Sequence, residues 1–199
     1  MPLMEVFPCA PTLVQAAALG EPAARDRLVD ACLPVVLGWC ARLGGPKVDP
    51  EDAAHDVLIV MLDRLDSLRD FGSFTSWLFG ITRRVLAKHR RQAWVKRWVP
   101  GFMPDAVEPG ASPYQRAHLS ETSRRVQAAL EELPPAQREV LVLCDLEERT
   151  DLEVAELLEI PLGTVKSRLR LARQKFRTIA EQNALASLVS VTAGEGGKP

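Results

Sequence analysis

Strand-forming patterns are nearly absent from this chain. No alternating run of Val, Ile, Thr and aromatic residues is bounded by turn pairs, which excludes a β-rich fold. No apolar stretch approaches the roughly 20 residues needed to span a bilayer. No basic residue precedes Arg25, so the charged flank of a signal peptide is missing. A cytoplasmic protein without membrane insertion is expected. None of the four cysteines, Cys9, Cys32, Cys40 and Cys144, stands in a CxxC pair, and the scattered His55, His89 and His118 do not complete a zinc pattern. Cys32 and Cys40 on one helix would lie about 12 Å apart, beyond the ~7 Å limit on Cα separation for a disulfide. Buried, reduced thiols follow, as a reducing compartment allows. There is no Ser/His/Asp set and no phosphate-cradling Gly loop. No catalytic residue, metal or cofactor is expected.

What the chain does have is an uneven distribution of charge. The formal net charge is −1, which by itself argues against a nucleic-acid partner. Yet no acid occurs from Phe71 to Pro104, where Arg83, Arg84, Lys88, Arg90, Arg91, Lys96 and Arg97 are all basic. The stretch Ile160–Ala180 is likewise free of acid and carries Lys166, Arg168, Arg170, Arg173, Lys175 and Arg177. Acids gather in two blocks, one from Asp49 to Asp66 and one from Glu147 to Glu159. A solvated helix face would mix the signs. Two purely basic segments, each following an acidic one, suit two separate surfaces that face a polyanion.

Apolar residues recur at helical spacing. Leu13 to Leu43 reads as one or two helices, ended by Gly44-Gly45-Pro46. Asp49 caps the next helix, with Pro50 at its first position. After the Asp70–Ser73 turn, another helix runs from about Thr75 to Arg91. From Gln92 to Gln115 six prolines and glycines break any helix, although Trp94, Trp98, Phe102 and Met103 make this stretch unusually apolar for a tether. Periodicity returns near Ala117, with helices near Thr122–Glu132, Ala136–Asp145, Asp151–Leu158 and Thr164–Arg177. The expected fold is all-α: two small helical domains, 1–91 and 117–182, joined by a Pro/Gly-rich linker, 92–116, with a flexible tail, 183–199.

The segment Asp151–Arg177 has the build of a helix-turn-helix. A short helix meets a turn at Ile160-Pro161-Leu162-Gly163, and Thr164 is placed to cap a longer one. At 100° per residue, Val165, Leu169, Ala172, Phe176 and Ile179 collect on one stripe. Ser167, Arg170 and Gln174 fall opposite, flanked by Lys166, Arg173 and Arg177. One face anchored in a core and the other presenting long donors is what a recognition helix in a DNA groove requires.

Leu133-Pro134-Pro135-Ala136-Gln137-Arg138-Glu139, then Glu153-Val154-Ala155-Glu156-Leu157-Leu158, then Gly163-Thr164-Val165-Lys166-Ser167-Arg168-Leu169 resemble region 4 of the extracytoplasmic-function (ECF) sigma factors. The resemblance implies that this domain reads the −35 promoter element through Thr164, Lys166, Ser167, Arg170, Arg173 and Gln174. Leu171 stands where many members carry Arg. Upstream, Asp49-Pro50-Glu51-Asp52-Ala53-Ala54-His55-Asp56-Val57 resembles region 2.2. That implies contact between Asp52, His55 and Asp56 and the β′ clamp helices of core RNA polymerase, with the β subunit as a further partner. The helix-turn surface from Phe74 to Arg91 resembles regions 2.3 and 2.4, implying that Phe74, Trp77, Arg83, Arg84, Lys88 and Arg91 hold and help melt the −10 element. Physically, basic groups track a strand while an aromatic platform accepts an extruded base, although Phe74 and Trp77 share the apolar side of the wheel with Ile81 and Val85, where core packing is the expected role of both rings. The family commonly has Asn at Arg84 and Asp at Lys88, and the Asp70–Ser73 loop is short. An anti-sigma factor is implied as a further partner, and a stress or extracytoplasmic response as the setting. The alternative is a stand-alone helix-turn-helix regulator with an unrelated sensory half, and the basic, aromatic Phe74–Arg91 segment argues against it.

Overall fold

The computed structural model describes residues 9–96 and 121–194. All regular elements among them are helical. Most of the expected linker, with Trp98, Phe102 and Met103, lies outside the described residues, as does the end of the tail beyond Gly194.

The N-terminal half folds as four helices: α1 (Pro11–Ala18), α2 (Pro22–Gly44), α3 (Pro50–Arg64) and α4 (Phe74–Lys96). The stretch read as one or two helices is two. Gly20, at φ +91°, makes the break between them in a backbone conformation that favours glycine. Asp49 caps α3, its carboxylate accepting from the Glu51 and Asp52 amides at 2.8 and 3.1 Å, with Pro50 in the first turn. Cys32, Val36, Trp39 and Leu43 of α2 meet Ala53, Val57 and Met61 of α3, all essentially without exposure. From α4, Leu78, Phe79 and Leu86 complete this core, and the Trp39 and Phe79 rings meet edge to face at 5.1 Å. Cys32 and Cys40 are buried free thiols, but Cys9 and Cys144 are only half-buried. The sulfurs of Cys9 and Cys32 stand 4.0 Å apart, a pairing of distant segments that helix arithmetic does not reveal.

The C-terminal half comprises α5 (Glu121–Glu131), α6 (Pro135–Leu141) running into a π-helical turn (Val142–Leu146), α7 (Asp151–Leu158) and α8 (Leu162–Gly194). Leu130, Val140, Val142, Leu143, Val154, Val165 and Ala172 form its core. Thr150 and Glu153 close a reciprocal capping box at the start of α7: the Thr150 hydroxyl accepts from the Glu153 amide, and the Glu153 carboxylate accepts from the Thr150 amide at 2.8 Å. Replacing Thr150 with alanine is expected to cost about 1 kcal/mol, read as a lower urea midpoint with an unchanged slope. α7 ends with Glu159 in the left-handed region, φ 54°. Two sequence expectations shift at element ends. The helix after the turn starts at Leu162, so Thr164 lies inside its first turn, its amide donating to the Pro161 carbonyl at 2.8 Å, and is not the cap. α4 and α8 continue through Lys96 and Gly194.

The two halves touch. The last turn of α2 leaves carbonyls without helical partners, and side chains of the C-terminal half satisfy two of them. Gln127 Nε2 donates to the Ala41 carbonyl at 2.6 Å, and Arg138 Nη1 to the Leu43 carbonyl at 3.1 Å. Arg138 is only 3% exposed. Its other nitrogens donate to the carbonyls of Leu130, Glu131 and Leu133 at 2.6, 2.8 and 3.0 Å, where α5 ends. Desolvation, then the nearby Arg90, lowers its pKa to about 10, so it remains charged at neutral pH. Two ion pairs span the same boundary: Arg42 to Glu147 at 2.9 Å, with the Glu147 side chain fully buried, and Arg83 to Glu139 at 3.3 Å.

Candidate nucleic-acid and polymerase interfaces

On α8 the expected stripe is the buried one. Val165 and Ala172 have no exposure, Leu169 and Ile179 very little, and Phe176 is half-buried. Lys166, Ser167, Arg170 and Gln174 are exposed on the outer side, and Thr164 is half-buried at the helix start. The helix is therefore rotated so that its core face and its donor face are cleanly separated. Lys166, Arg170, Arg173 and Gln174 share the wall of one shallow cleft. Arg173 differs from its neighbours because a partner already holds it. Its Nη2 and Nε donate to the two carboxylate oxygens of Asp145 at 2.6 and 3.0 Å, a bidentate fork that raises its pKa. Asp145 thus fixes the direction of Arg173, a role that no local pattern signals across 28 positions.

α4 divides its residues between two sides. Phe74 is 3% exposed and belongs to the core, its ring 5.9 Å from that of the half-buried Trp77. Trp77, Arg83 and Arg84 line a cleft that opens toward the C-terminal half. Arg84 also reaches a second cleft between α3 and α4, which it shares with Lys88 and Asp56. Arg91 is exposed near the end of the helix.

Asp52, His55 and Asp56 lie at spacings of three and four on α3, which puts them on one helix face. Asp52 and His55 are exposed. Asp56 is half-buried and tied to α4: His89 Nε2 lies 3.0 Å and Lys88 Nζ 3.6 Å from its Oδ2. The hydrogen bond from His89 is the first cause of its lowered pKa. The structure therefore joins a residue expected to meet polymerase with one expected to meet DNA, Lys88, through a shared carboxylate. Among the described residues, no helix is long and apolar enough to cross a membrane and no group of three or more His, Cys, Asp or Glu side chains is placed to hold a metal ion.

Residues 28–96 match the family model for sigma-70 region 2, and residues 123–176 the model for sigma-70, region 4. The ECF RNA polymerase sigma factor ShbA of Streptomyces griseus is 30% identical over 180 residues, covering 85% of this chain and 94% of that protein. The ECF RNA polymerase sigma factor SigE of Mycolicibacterium smegmatis is 32% identical over 154 residues, covering 76% of this chain but only 60% of SigE. Among solved structures, CnrH in complex with the cytosolic domain of CnrY is similar over 86% of this chain and 97% of that one, with a TM-score of 0.61 and 25% identity. The sigma factor RpoE in complex with the anti-sigma factor NepR from Bartonella quintana shares the fold at a TM-score of 0.61 and 22% identity, over 78% of this chain and 96% of that one.

Proposed function

Because the chain belongs to the extracytoplasmic-function sigma factors of the sigma-70 family, a family without enzymatic activity, we propose that it binds core RNA polymerase and directs it to promoters. In this reading the α3 face of Asp52, His55 and Asp56 meets the β′ clamp helices, and the β subunit contributes further contacts. Trp77, Arg83, Arg84, Lys88 and Arg91 on α4 handle the −10 element, with Phe74 supporting Trp77 from the core. Ser167, Arg170 and Gln174 on α8 read the −35 element, while Thr164, Lys166 and Arg173 approach the phosphates. The work is cytoplasmic, and an anti-sigma factor holds the chain until a stress or extracytoplasmic signal releases it; the anti-sigma complex of the related RpoE supports that partner. The observation that carries the reading is the presence of two acid-free helical faces, one in each family-matched half.

The test is co-elution with core polymerase on gel filtration, followed by sequencing of the transcripts the complex initiates. Reversing the charges of Asp52 and Asp56 together is expected to abolish co-elution while the helical circular-dichroism signal persists. Retained co-elution would move the polymerase contact off this face. Binding to specific duplexes with no affinity for core polymerase would leave a stand-alone regulator.

A further inference from the structure

The cleft in front of Trp77, Arg83 and Arg84, of about 770 Å³, has a second wall, and the C-terminal half builds it. Glu139 from α6 and Glu153, Glu156 and Glu159 on and just beyond α7 face the basic wall of α4, to which Arg90 also belongs. Arg149 lies among the acids and is paired with Glu153 at 3.4 Å. One direct ion pair crosses the cleft, Arg83 to Glu139. The acidic block at 147–159 and the basic segment after Phe71, separated in sequence by more than forty residues, are thus opposite walls of one cleft. The donor face of α8 lines a different cleft, which holds none of these four glutamates and a single acid of the block, Asp151 at the start of α7.

From this geometry we infer that the acidic face of α7 is an intramolecular stand-in for nucleic acid: it docks over the strand-binding face of α4 and masks it in the free chain, while the α8 face stays open. The inference rests on the reading of α4 as the −10 surface. A strand laid along Trp77, Arg83 and Arg84 would bring its phosphates into the cleft that Glu139, Glu153, Glu156 and Glu159 also line, whose walls meet at 3.3 Å between Arg83 and Glu139, well inside the screening distance of about 8 Å at physiological salt. Like charges at that range repel, so strand and α7 exclude each other. The closed arrangement is held away from the cleft by Arg42–Glu147 and by Gln127 on the Ala41 carbonyl, which allows it to be opened without altering either wall.

Two single variants of the full chain do so from opposite sides of the boundary. Arg42→Glu sets two carboxylates together, and Gln127→Glu sets a carboxylate against a carbonyl. Both make the protein more negative, so any gain in DNA affinity runs against the change in net charge. Each is expected to raise the radius of gyration in solution scattering. Each should also tighten binding of a fluorescein-labelled oligo(dT) strand about ten-fold, as follows when a chain open roughly a tenth of the time becomes open throughout. Circular dichroism checks that the helices persist, and a variant that loses them is replaced by the other. Variants that expand without binding the strand more tightly overturn the masking. Variants that neither expand nor tighten overturn the docking. Adding Arg84→Gln to an opened variant separates the two readings: a lost gain supports α4 as the strand surface, whereas an unchanged gain removes that assignment and the masking with it, though the closure stands.

Discussion

Replacing Arg138 with alanine is expected to destabilise the protein by about 3–5 kcal/mol, the range seen when one partner of a buried charged network is deleted. The guanidinium is 3% exposed and donates to four carbonyls at 2.6–3.1 Å. Three of these belong to Leu130, Glu131 and Leu133, where α5 gives way to α6, and the fourth, Leu43, closes α2. Removing the donor strips the Glu131 and Leu133 carbonyls of this partner, at roughly 1–3 kcal/mol each unless water enters, while the Leu130 carbonyl keeps the Leu133 amide and the Leu43 carbonyl keeps Arg90. Lysine does not restore the site, because an ammonium group is a point donor on a flexible stem and cannot fork to acceptors on two helices. Urea unfolding monitored by circular dichroism measures the loss. A change below about 1 kcal/mol would show that the carbonyls find other partners and that the knot is incidental.

Gly45→Ala attacks the same site from the other half. The backbone at φ +89° favours glycine, and an added Cβ would stand 2.6 Å from Arg138 Nη1. The end of a flexible side chain would ordinarily move aside, but this one is fixed by its carbonyls. The alanine variant therefore either strains the turn or pushes the guanidinium out of its site. In both cases the loss should be sub-additive with Arg138→Ala, because the second change removes what the first disturbs.

Features that depend on neighbours in sequence were legible. The Asp49-Pro50 start of α3, the break at Ile160-Pro161 and the apolar stripe of α8 all follow from local capping chemistry and helical period. The donor face of α8 followed from the same wheel. What escaped were side chains whose partners lie far along the chain. Arg138 read as part of a family motif in a first helical turn, although the preceding Leu133-Pro134-Pro135 signals a helix end whose carbonyls need donors. Asp56 is expected to face polymerase, yet His89 of α4 is its partner across 33 positions. Phe74 is a −10 residue only by resemblance; the wheel places it with Trp77, Ile81 and Val85 on the apolar side, and the ring lies in the core. The two charge blocks were visible as blocks; that one faces the other across the domain boundary depends on how the halves dock, which no local pattern encodes. Thr164 was misplaced as a cap because the helix begins two residues earlier, directly after Pro161.

The recognition helix offers the second large effect, because adjacent residues there should fail in different ways. Leu169 is 6% exposed between Val165 and Ala172, which have no exposure at all. Leu169→Ala leaves a cavity in a small core and is expected to cost about 2–5 kcal/mol, lowering the urea midpoint and weakening binding to every promoter sequence alike. Arg170, one position on, is exposed on the opposite side. Arg170→Ala should leave stability within roughly 0.5 kcal/mol yet cost on the order of 1–3 kcal/mol on a matched −35 site, with relaxed preference at one or two base positions. Lys166→Ala, aimed at phosphate, should weaken all sequences equally and reduce the salt slope by about one. Run-off transcription by the holoenzyme from a library of randomised −35 sites separates the three, with urea unfolding of each variant as the parallel measurement. If Arg170→Ala selects the same −35 sequence as the parent chain, base reading belongs to another face of α8; if Leu169→Ala changes the selected sequence while remaining stable, the helix is rotated from the orientation that buries Val165 and Ala172.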